Sequence, residues 1–398
     1  MIVGMALFWY GLVPLVGGII RRREWYAFRN RFDELRLRPI LDYRRYWQQE
    51  KNETDKGGHS PSDGLNTFRY VGGFESVTDR QTLWIRGEDL TVPVSLKHAK
   101  IYLLPMQKNA GAEAFDPEEE SPEKIRWEKV SALTEGARVF VGGPLVCTDG
   151  RWSFASTKEN PLIVIFFDGP DRALAPMVIK AGRHRGEYWN AITPYSLILG
   201  AASQMLMATS FIPRPAFRLT ALVAFIALFI PLYPLIPPGL LFTVVSRRLS
   251  WKARLLRIYA GFARLPLRYL APPGGKGQIM PECQLPDGER YGFSRIAELP
   301  PQTEENTVPL LLPDWAKPRS GDPWLMFGAV QDAAREGREL PCQPGDPFAT
   351  FGILPDRPRS LARRFMAGAY ATETLAWLVL LAGIGLNIFF FWMVMALL

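Results

Sequence analysis

The sequence contains little histidine and little cysteine, the residues that most often serve as catalytic bases, thiol nucleophiles and metal ligands. Its three histidines, His59, His98 and His184, are scattered along 398 residues, and none belongs to a complete set of metal ligands at suitable spacing. A Gly-x-Ser-x-Gly elbow, a Walker loop and an HExxH helix are also missing. We therefore assign no catalytic residue, no metal site and no cofactor, and the sequence favours a protein that is not an enzyme.

The cysteines are odd in number and lie far apart, at Cys147, Cys283 and Cys342. Such a set is a poor disulfide framework and is typical of a reducing compartment such as the cytoplasm. Cys283 and Cys342 share one segment and could pair. Free, buried thiols are the simpler interpretation.

Charge is missing from four long stretches, namely residues 2–20, 191–213, 219–245 and 374–398. They contain 19, 23, 27 and 25 residues, and a helix of about 20 residues crosses a hydrocarbon core about 30 Å thick. Because backbone groups in lipid must be bonded internally, each stretch should be helical. The sequence therefore predicts an α+β integral membrane protein with four transmembrane helices and two cytoplasmic β-rich domains.

A cleaved signal peptide is the alternative interpretation of residues 2–20. Such a peptide has basic residues before its apolar run and small residues at a cleavage site after it. Here the basic residues follow the run and no Ala-x-Ala pattern is present. We therefore interpret the run as an uncleaved anchor.

Basic residues, which give a net charge of +8, cluster beside the predicted spans. Three arginines follow the first span, seven basic residues and no acid lie between positions 247 and 268, and four arginines precede the last span. Such clusters mark the cytoplasmic side. The predicted topology in the inner (plasma) membrane has both termini outside and residues 22–190 and 246–365 inside, with Arg214 and Arg218 as the discordant charges.

These patterns divide the chain into seven segments. They are a first span (1–21), a basic juxtamembrane helix and loop (22–66), a β-rich domain (67–190), a hairpin of two spans (191–245, with spans at 191–213 and 219–245), a basic amphipathic interfacial helix (246–270), a second Pro/Gly-rich β domain (271–365) and a fourth span (366–398).

Two of these segments are expected to lie along the membrane surface. In residues 22–50 and 246–270, apolar side chains such as Phe32 and Phe262 recur at helical spacing opposite arginines. Arginine is attracted to anionic lipid headgroups. We assign headgroup binding to Arg21, Arg22, Arg23, Arg183, Arg185, Arg247, Arg254, Arg257, Arg264 and Arg268.

Short runs of β-forming residues fill the first β-rich domain, at 68–77, 81–86, 90–96, 100–104, 137–146, 151–155 and 162–167. An acidic insertion, residues 113–123, separates two groups of runs and should be a solvated loop. Aromatic-Val-Gly-Gly occurs at 70–73 and 140–143, and glycine within a strand marks a bulge or bend. About seven strands in about 100 residues predict a small OB-like barrel or a sandwich.

Proline interrupts the third predicted span at Pro231, Pro234, Pro237 and Pro238. Each proline removes a backbone donor, so the helix should kink, unwind or end early near 237–239. Broken helices line some transport sites, which gives the alternative hypothesis of a transport or lipid-handling component. We favour a structural kink because no charged partner is near.

Few polar residues interrupt the predicted spans. Gln204 and Asn387 are uncharged and should form hydrogen bonds between helices. Glu373, at the edge of the fourth span, is the single ionisable candidate. A carboxylate at such a position can pair with arginine at low cost.

An eight-residue pattern occurs twice in the second β domain, at 321–328 and 345–352, with the form Gly-Asp-Pro-aromatic-x-x-Phe-Gly. Gly-Asp-Pro indicates a turn, and the residues after it should form a strand. The aspartates could bind a cation, although Asp in such a turn more often bonds its own backbone. The candidate partner-binding or turn residues are Gly321, Asp322, Pro323, Trp324, Gly345, Asp346, Pro347 and Phe348.

His184 and Glu187 form a His-x-x-Glu pair that gives a weaker alternative, a membrane-bound metal-dependent hydrolase. A structural zinc site needs four ligands, and Arg183 and Arg185 would repel a cation. A histidine that faces lipid headgroups is the simpler interpretation.

The leading hypothesis is a multi-pass scaffold or assembly protein. Its cytoplasmic β-rich domains would bind an unknown protein partner, and its basic helices would hold them against anionic lipids. Because the basic stripe follows a span directly, lipid rather than nucleic acid is the expected partner. A homo-oligomer is also compatible with the sequence.

Overall fold

The computed structural model shows a mixed α+β protein. It describes residues 1–48, 67–78, 81–105, 122–148, 151–183, 188–271, 279–298, 309, 311–312, 323–330 and 340–397. The chain forms two compact units. The helical unit contains Met1–Tyr26, Gly182–Ala260 and Arg363–Leu398, and the β unit contains Ala27–Ala181 and Gly261–Ala362.

The helices account for most of the apolar runs. A continuous helical segment consists of α1 (Ile2–Leu7), a π-helical turn (Phe8–Leu12) and α2 (Val13–Leu35). The others are α3 (Leu174–Lys180), α4 (Thr193–Phe211), α5 (Arg218–Leu228), α6 (Gly239–Arg264), α7 (Leu267–Leu270) and α8 (Pro358–Leu397). Turns of 3₁₀-helix lie at Trp127–Ala132, Asp171–Ala173, Pro215–Phe217 and Ile230–Leu235.

Two helices, Ile2–Leu35 and Pro358–Met395, are long and apolar enough to cross a membrane, where the sequence predicts four. The 219–245 run is not one helix, because the prolines separate α5 from α6 by the Ile230–Leu235 turn. The predicted interruption is thus present. The 191–213 run contains α4, a helix of 19 residues.

Small side chains bring three helices of the helical unit together. α1 packs against α4 and α5 through Ile2, Ala6, Ala208, Ala224 and Ala227. Alanine at such contacts lets helix backbones approach closely, as is typical where helices associate without a large hydrophobic driving force.

Twelve strands in the described part of the chain form two sheets. The strands are β1 (Thr67–Thr78), β2 (Thr82–Arg86), β3 (Thr91–Ser95), β4 (Lys100–Leu104), β5 (Glu123–Ile125), β6 (Arg138–Thr148), β7 (Arg151–Phe154), β8 (Ile163–Phe167), β9 (Glu282–Gln284), β10 (Arg290–Ile296), β11 (Trp324–Ala329) and β12 (Gly352–Pro355). All seven predicted runs before residue 168 contain a strand, whereas β5 was not predicted.

The larger sheet closes on itself. β1 pairs with both β2 and β6, β6 pairs with β7, and β7 runs parallel to β3, which pairs with β2. Five strands therefore form a ring around Phe68, Val94, Val141, Phe154 and neighbouring apolar residues. β8, β4 and β5 extend the sheet from β6.

Glycine permits the close approach of strands where β1 passes from one partner to the next. Gly72 and Gly73 lie where the pairing of β1 with β6 ends and its pairing with β2 begins. A Cβ atom on Gly72 would overlap the carbonyl of Arg86. The first aromatic-Val-Gly-Gly element thus marks this point of the barrel.

The smaller sheet has the order β12-β11-β10-β9 and is antiparallel. β11 follows the first Gly-Asp-Pro element as predicted. After the second element the prediction is wrong, because Pro347 and Phe348 lie in a turn, residues 349–351 belong to no strand, and β12 begins only at Gly352.

The apolar stripes predicted to face lipid are covered by protein. In the β unit, Phe28 of α2 packs on Tyr102 at 4.1 Å between ring centroids, and Phe32 packs on Phe140 at 5.2 Å. In α6, Ile258 and Phe262 are buried. A stripe at helical spacing fits either a protein core or a lipid surface. These side chains therefore lie against protein, and the location of the two helices at a membrane surface stays a prediction.

Candidate functional site

A buried ion pair joins the two sequence segments of the β unit. Arg69 of β1 donates to Asp346 through both terminal nitrogens, from Nη1 to Oδ1 at 3.0 Å and from Nη2 to Oδ2 at 2.5 Å. The side chains are 1% and 0% exposed. Arg69 Nε also donates to the carbonyl of Arg38, at 2.7 Å. This two-pronged geometry is the strongest form of an arginine–carboxylate contact.

Asp346 also fixes its own turn. Its Oδ1 accepts a hydrogen bond from the backbone N–H of Phe348 at 3.0 Å, and the Phe348 ring lies 5.1 Å from the Arg69 guanidinium carbon. Phe348 packs on Phe140 at 5.3 Å. The bonds of this aspartate therefore go to its own turn and to Arg69.

A second arginine continues this buried polar cluster. Arg36, fully buried at the end of α2, donates to the carbonyl of Leu265 at 3.0 Å and lies over the ring of Tyr269 at 4.7 Å. Its Nε is 3.1 Å from Asp33 Oδ1, and Asp33 Oδ2 pairs with Arg268 at 3.2 Å. Each buried charge in the cluster thus has an opposite charge or a carbonyl beside it.

Two tyrosines complete the cluster. Tyr269 donates its hydroxyl to the carbonyl of Phe348, and Tyr291 donates to that of Thr350, both at 2.7 Å. Burial raises the pKa of Tyr269 to about 12, partly offset by Arg36, and burial raises the pKa of Tyr291 well above its ordinary value. Both hydroxyls therefore remain neutral donors that hold residues 348–350 in place.

Three of the candidate partner-binding or turn residues are buried in the structure. Asp346 and Phe348 are each 2% exposed, and Trp324 is 7% exposed. Gly345 is exposed, and its N–H donates to Glu289 at 2.9 Å. Gly321 and Asp322 lie outside the described residues.

None of the three cysteines, all of which the structure describes, forms a disulfide. Cys283 on β9 is opposite Tyr291 on β10, Tyr291 is opposite Ala329 on β11, and Ala329 pairs with Cys342. Three strand spacings of about 4.8 Å separate the two thiols, too far for a disulfide. Burial raises the pKa of Cys283 to about 11, so the thiol is protonated at neutral pH.

In the helical unit, polar side chains donate to backbone carbonyls of the first helical segment, one of which a proline leaves without its usual donor. Pro14 cannot donate to the carbonyl of Tyr10, four residues earlier, and Tyr188 donates to it instead at 2.8 Å. Ser196 donates to the carbonyl of Trp9 beside it, within the π-helical turn. Gln204 donates to the carbonyl of Ile2 at 3.2 Å.

The proline-rich interruption between α5 and α6 is satisfied in the same way. Asn387 of α8 donates to the carbonyls of Tyr233 at 2.6 Å and Ile236 at 2.9 Å. Thr243 donates to the carbonyl of Pro234 at 2.8 Å. Tyr233 and Pro234 each lie four residues before a proline, so these side chains replace the missing helical donors.

Glu373 bridges two arginines of the helical unit. Its Oε1 is 2.8 Å from Arg22 Nη2, and its Oε2 accepts from Arg257 Nη2. The Arg257 guanidinium also lies 5.7 Å from the ring centroid of Tyr370. This charge cluster joins α2, α6 and α8 where the apolar stretches of α2 and α8 meet charged residues.

The arginines assigned to lipid occupy several environments. Arg21, Arg23, Arg247 and Arg264 are exposed, Arg183 and Arg254 are half-buried, and Arg22, Arg257 and Arg268 form ion pairs with acids. Arg185, His184 and Glu187 lie outside the described residues. Among the residues that are described, no three His, Cys, Asp or Glu side chains gather as metal ligands.

Sequence reasoning missed the buried cluster of Arg36, Arg69, Tyr269 and Tyr291. One signal was present for Arg69, which stands between Phe68 and Tyr70 in an apolar strand. Alternation places it on the face opposite to those aromatics, and an arginine there needs a partner. The partner itself is 277 residues away and has no local signature.

Comparison of the chain with protein-family models, with curated proteins and with solved structures gave no match.

Proposed function

We propose that the protein is a multi-pass membrane scaffold whose β unit binds a protein partner at the surface of the inner membrane. This proposal rests on one observation. The β unit combines two chain segments, one before and one after residues 182–260, and the buried Arg69–Asp346 pair joins them. Two segments of one compact unit must lie on the same side of a bilayer. Residues 182–260 would then enter and leave the membrane on one side.

The exposure of apolar side chains supports membrane anchoring. Only 11% of the most apolar window of the Pro358–Met395 helix is buried within the chain, and 33% of that of Ile2–Leu35. Side chains such as Leu378 and Trp392 are 59% and 52% exposed. A core helix of a soluble protein would be covered, so lipid is the cover that we propose.

A non-enzymatic role accords with the chemistry of the buried cluster. Its acids and arginines neutralise one another, and its two tyrosine hydroxyls bind backbone carbonyls. The ring of five strands, with a long first strand shared by two neighbours, is like an OB-fold barrel, an architecture that presents loops and a sheet face to ligands. A rigid unit of this kind suits docking of a partner.

Cysteine-accessibility mapping in intact cells tests the topology. With the native cysteines replaced, single cysteines would be placed at the exposed positions Lys158 and Asp287 of the β unit and at Arg214 between α4 and α5. We expect an impermeant maleimide to label only Arg214→Cys. Labelling of Lys158→Cys and Asp287→Cys instead would invert the topology, and labelling of just one of them would refute a shared side.

Partner capture tests the function. The full chain, purified in mild detergent from its native membrane, should carry one protein in stoichiometric amount. The variant Asp346→Asn, in which the buried pair is broken, should remain in the membrane fraction and lose that partner. Recovery of the wild-type chain alone, or equal recovery of a partner with both chains, would count against a scaffold built on the β unit.

The interruption between α5 and α6 supports a second candidate, a transport or lipid-handling component. Interrupted helices offer carbonyls to substrates or ions. In this chain the carbonyls of Tyr233 and Pro234 already accept from Asn387 and Thr243. The scaffold is therefore the function that we favour.

A further inference from the structure

We propose that Arg22, Arg257 and Glu373 form a binding site for the phosphate of one anionic phospholipid. This inference rests on the membrane anchoring proposed above. The sequence assigns a general attraction for anionic headgroups to ten arginines, whereas this inference assigns the binding of one lipid molecule to three defined residues.

The triad holds two guanidinium groups side by side. Glu373 contacts one terminal nitrogen of each arginine, at 2.8 Å for Arg22, and thereby offsets the repulsion between them. The triad carries a net charge of +1. Arginine recognises phosphate through paired N–H donors in a planar fork, so two adjacent forks form a strong phosphate anchor.

The triad is open on the α2 side and enclosed on the α6 side. The Arg22 side chain is 41% exposed, whereas Arg257 and Glu373 are 15% and 22% exposed. Tyr370, 56% exposed, lies against the Arg257 guanidinium. A ligand can therefore reach Arg22 from solvent or lipid, while Arg257 and Glu373 are held by packing.

Apolar side chains beside the triad favour a lipid over free phosphate. Ile19 and Ile20, just before the arginines of α2, are 43% and 50% exposed. On α8, Leu375 and Leu378 follow Glu373 and are 49% and 59% exposed. A phospholipid places its phosphate next to acyl chains, and this surface places basic groups next to apolar ones in the same order.

The surrounding charge adds to the attraction. Arg21 is 3.9 Å from Glu24 and both are 45% exposed, while Arg23 is exposed. Exposed Arg247 lies on α6. Exposed basic groups attract an anionic leaflet in general, without choosing one lipid molecule. The triad differs from these exposed groups because contacts with Glu373 and Tyr370 hold its guanidinium groups in place.

Native mass spectrometry of the purified full chain tests the site. The probes are phosphatidylglycerol and phosphatidylcholine at equal concentration in detergent. We expect the wild type to retain one phosphatidylglycerol, and Arg22→Gln with Arg257→Gln to weaken retention about tenfold or more. The matched control is Arg248→Gln with Lys252→Gln, which removes the same charge from exposed positions of α6 that have no assigned lipid contact and should change retention by about twofold or less.

Several results would overturn the site. Equal losses of phosphatidylglycerol retention in the two double variants would indicate a general attraction between charges. Equal retention of both lipids by the wild type would refute an anion site, and this result does not depend on whether a variant folds. Displacement of the lipid by millimolar inorganic phosphate would show a free-anion site instead. Carbonate extraction separates this inference from the proposed function: a wild-type chain that resists extraction but retains no phosphatidylglycerol refutes only the triad, whereas an extracted chain refutes membrane anchoring as well.

Discussion

Replacing Asp346 with asparagine is expected to destabilise the β unit by about 3–5 kcal/mol, the usual effect of removing one partner of a buried ion pair. Asparagine has nearly the same shape, and its side-chain oxygen can still accept from the Phe348 N–H, so the turn can persist. What changes is the charge opposite Arg69. The guanidinium stays 1% exposed, now without a carboxylate.

The measurement is the urea dependence of protease resistance of the β unit in the detergent-solubilised full chain. The control is Asp89→Asn, an exposed aspartate of the same unit, whose effect should be within about 0.5 kcal/mol of zero. Adding Arg69→Met to Asp346→Asn should restore part of the loss, because the unpaired charge is then gone. Equal stability of Asp346→Asn and Asp89→Asn would show that the pair does not join the two segments.

The strands of the barrel could be predicted because each is a local pattern. The run at 100–104 matches β4 at both ends, and the other six runs differ from their strands by a few residues. β5, with three residues, is too short for alternation to be visible. The ring itself depends on pairings such as Val94 with Phe154, and these have no local signal.

Helix position along the chain was predictable, whereas the surface that each helix faces was not. Phe28 and Phe32 on α2 are spaced as lipid-facing residues would be, yet Tyr102 and Phe140 of the β unit cover them. The spacing of the aromatic residues shows that one face of the helix is apolar, whereas tertiary packing decides what that face contacts. Exposure in α8 could likewise not be read from its composition, which also fits a buried core helix.

Whether the role of a candidate residue could be predicted likewise depends on whether its contacts are local in the sequence. The Asp346 turn follows from Asp-Pro chemistry, which is local. Its bond to Arg69 closes a loop of 277 residues, and the bond of Arg36 to Leu265 closes one of 229. Sequence patterns of one chain cannot choose among many arginines and acids at such separations. The roles of Gln204 and Asn387 were predictable because a polar side chain in an apolar helix has few ways to be satisfied.

Replacing Asn387 with leucine is expected to have the second largest effect, a loss of about 1–3 kcal/mol from the removal of two buried hydrogen bonds to carbonyls. Leucine is similar in size and fits the apolar surroundings, so the change isolates the hydrogen bonds to Tyr233 and Ile236. Pro237 lacks the N–H that an α-helix would supply to the carbonyl of Tyr233, so the backbone supplies only the Ile236 N–H, at 3.3 Å. Asn387 itself is 5% exposed, so water cannot easily replace its amide.

Unfolding in mixed micelles of increasing SDS content measures this loss. The control is Thr209→Val on α4, an exposed threonine that bonds only carbonyls of its own helix, at 3.0 Å and 3.1 Å, and its effect should be near zero. Thr243→Val should act in the same direction as Asn387→Leu, with a smaller effect because one carbonyl of the interruption is involved.

These variants also distinguish the two candidate functions. If Asn387 supports a structural break, the leucine variant loses stability; if the carbonyls instead serve a transported substrate, it unfolds like the wild type and differs only in flux across reconstituted vesicles.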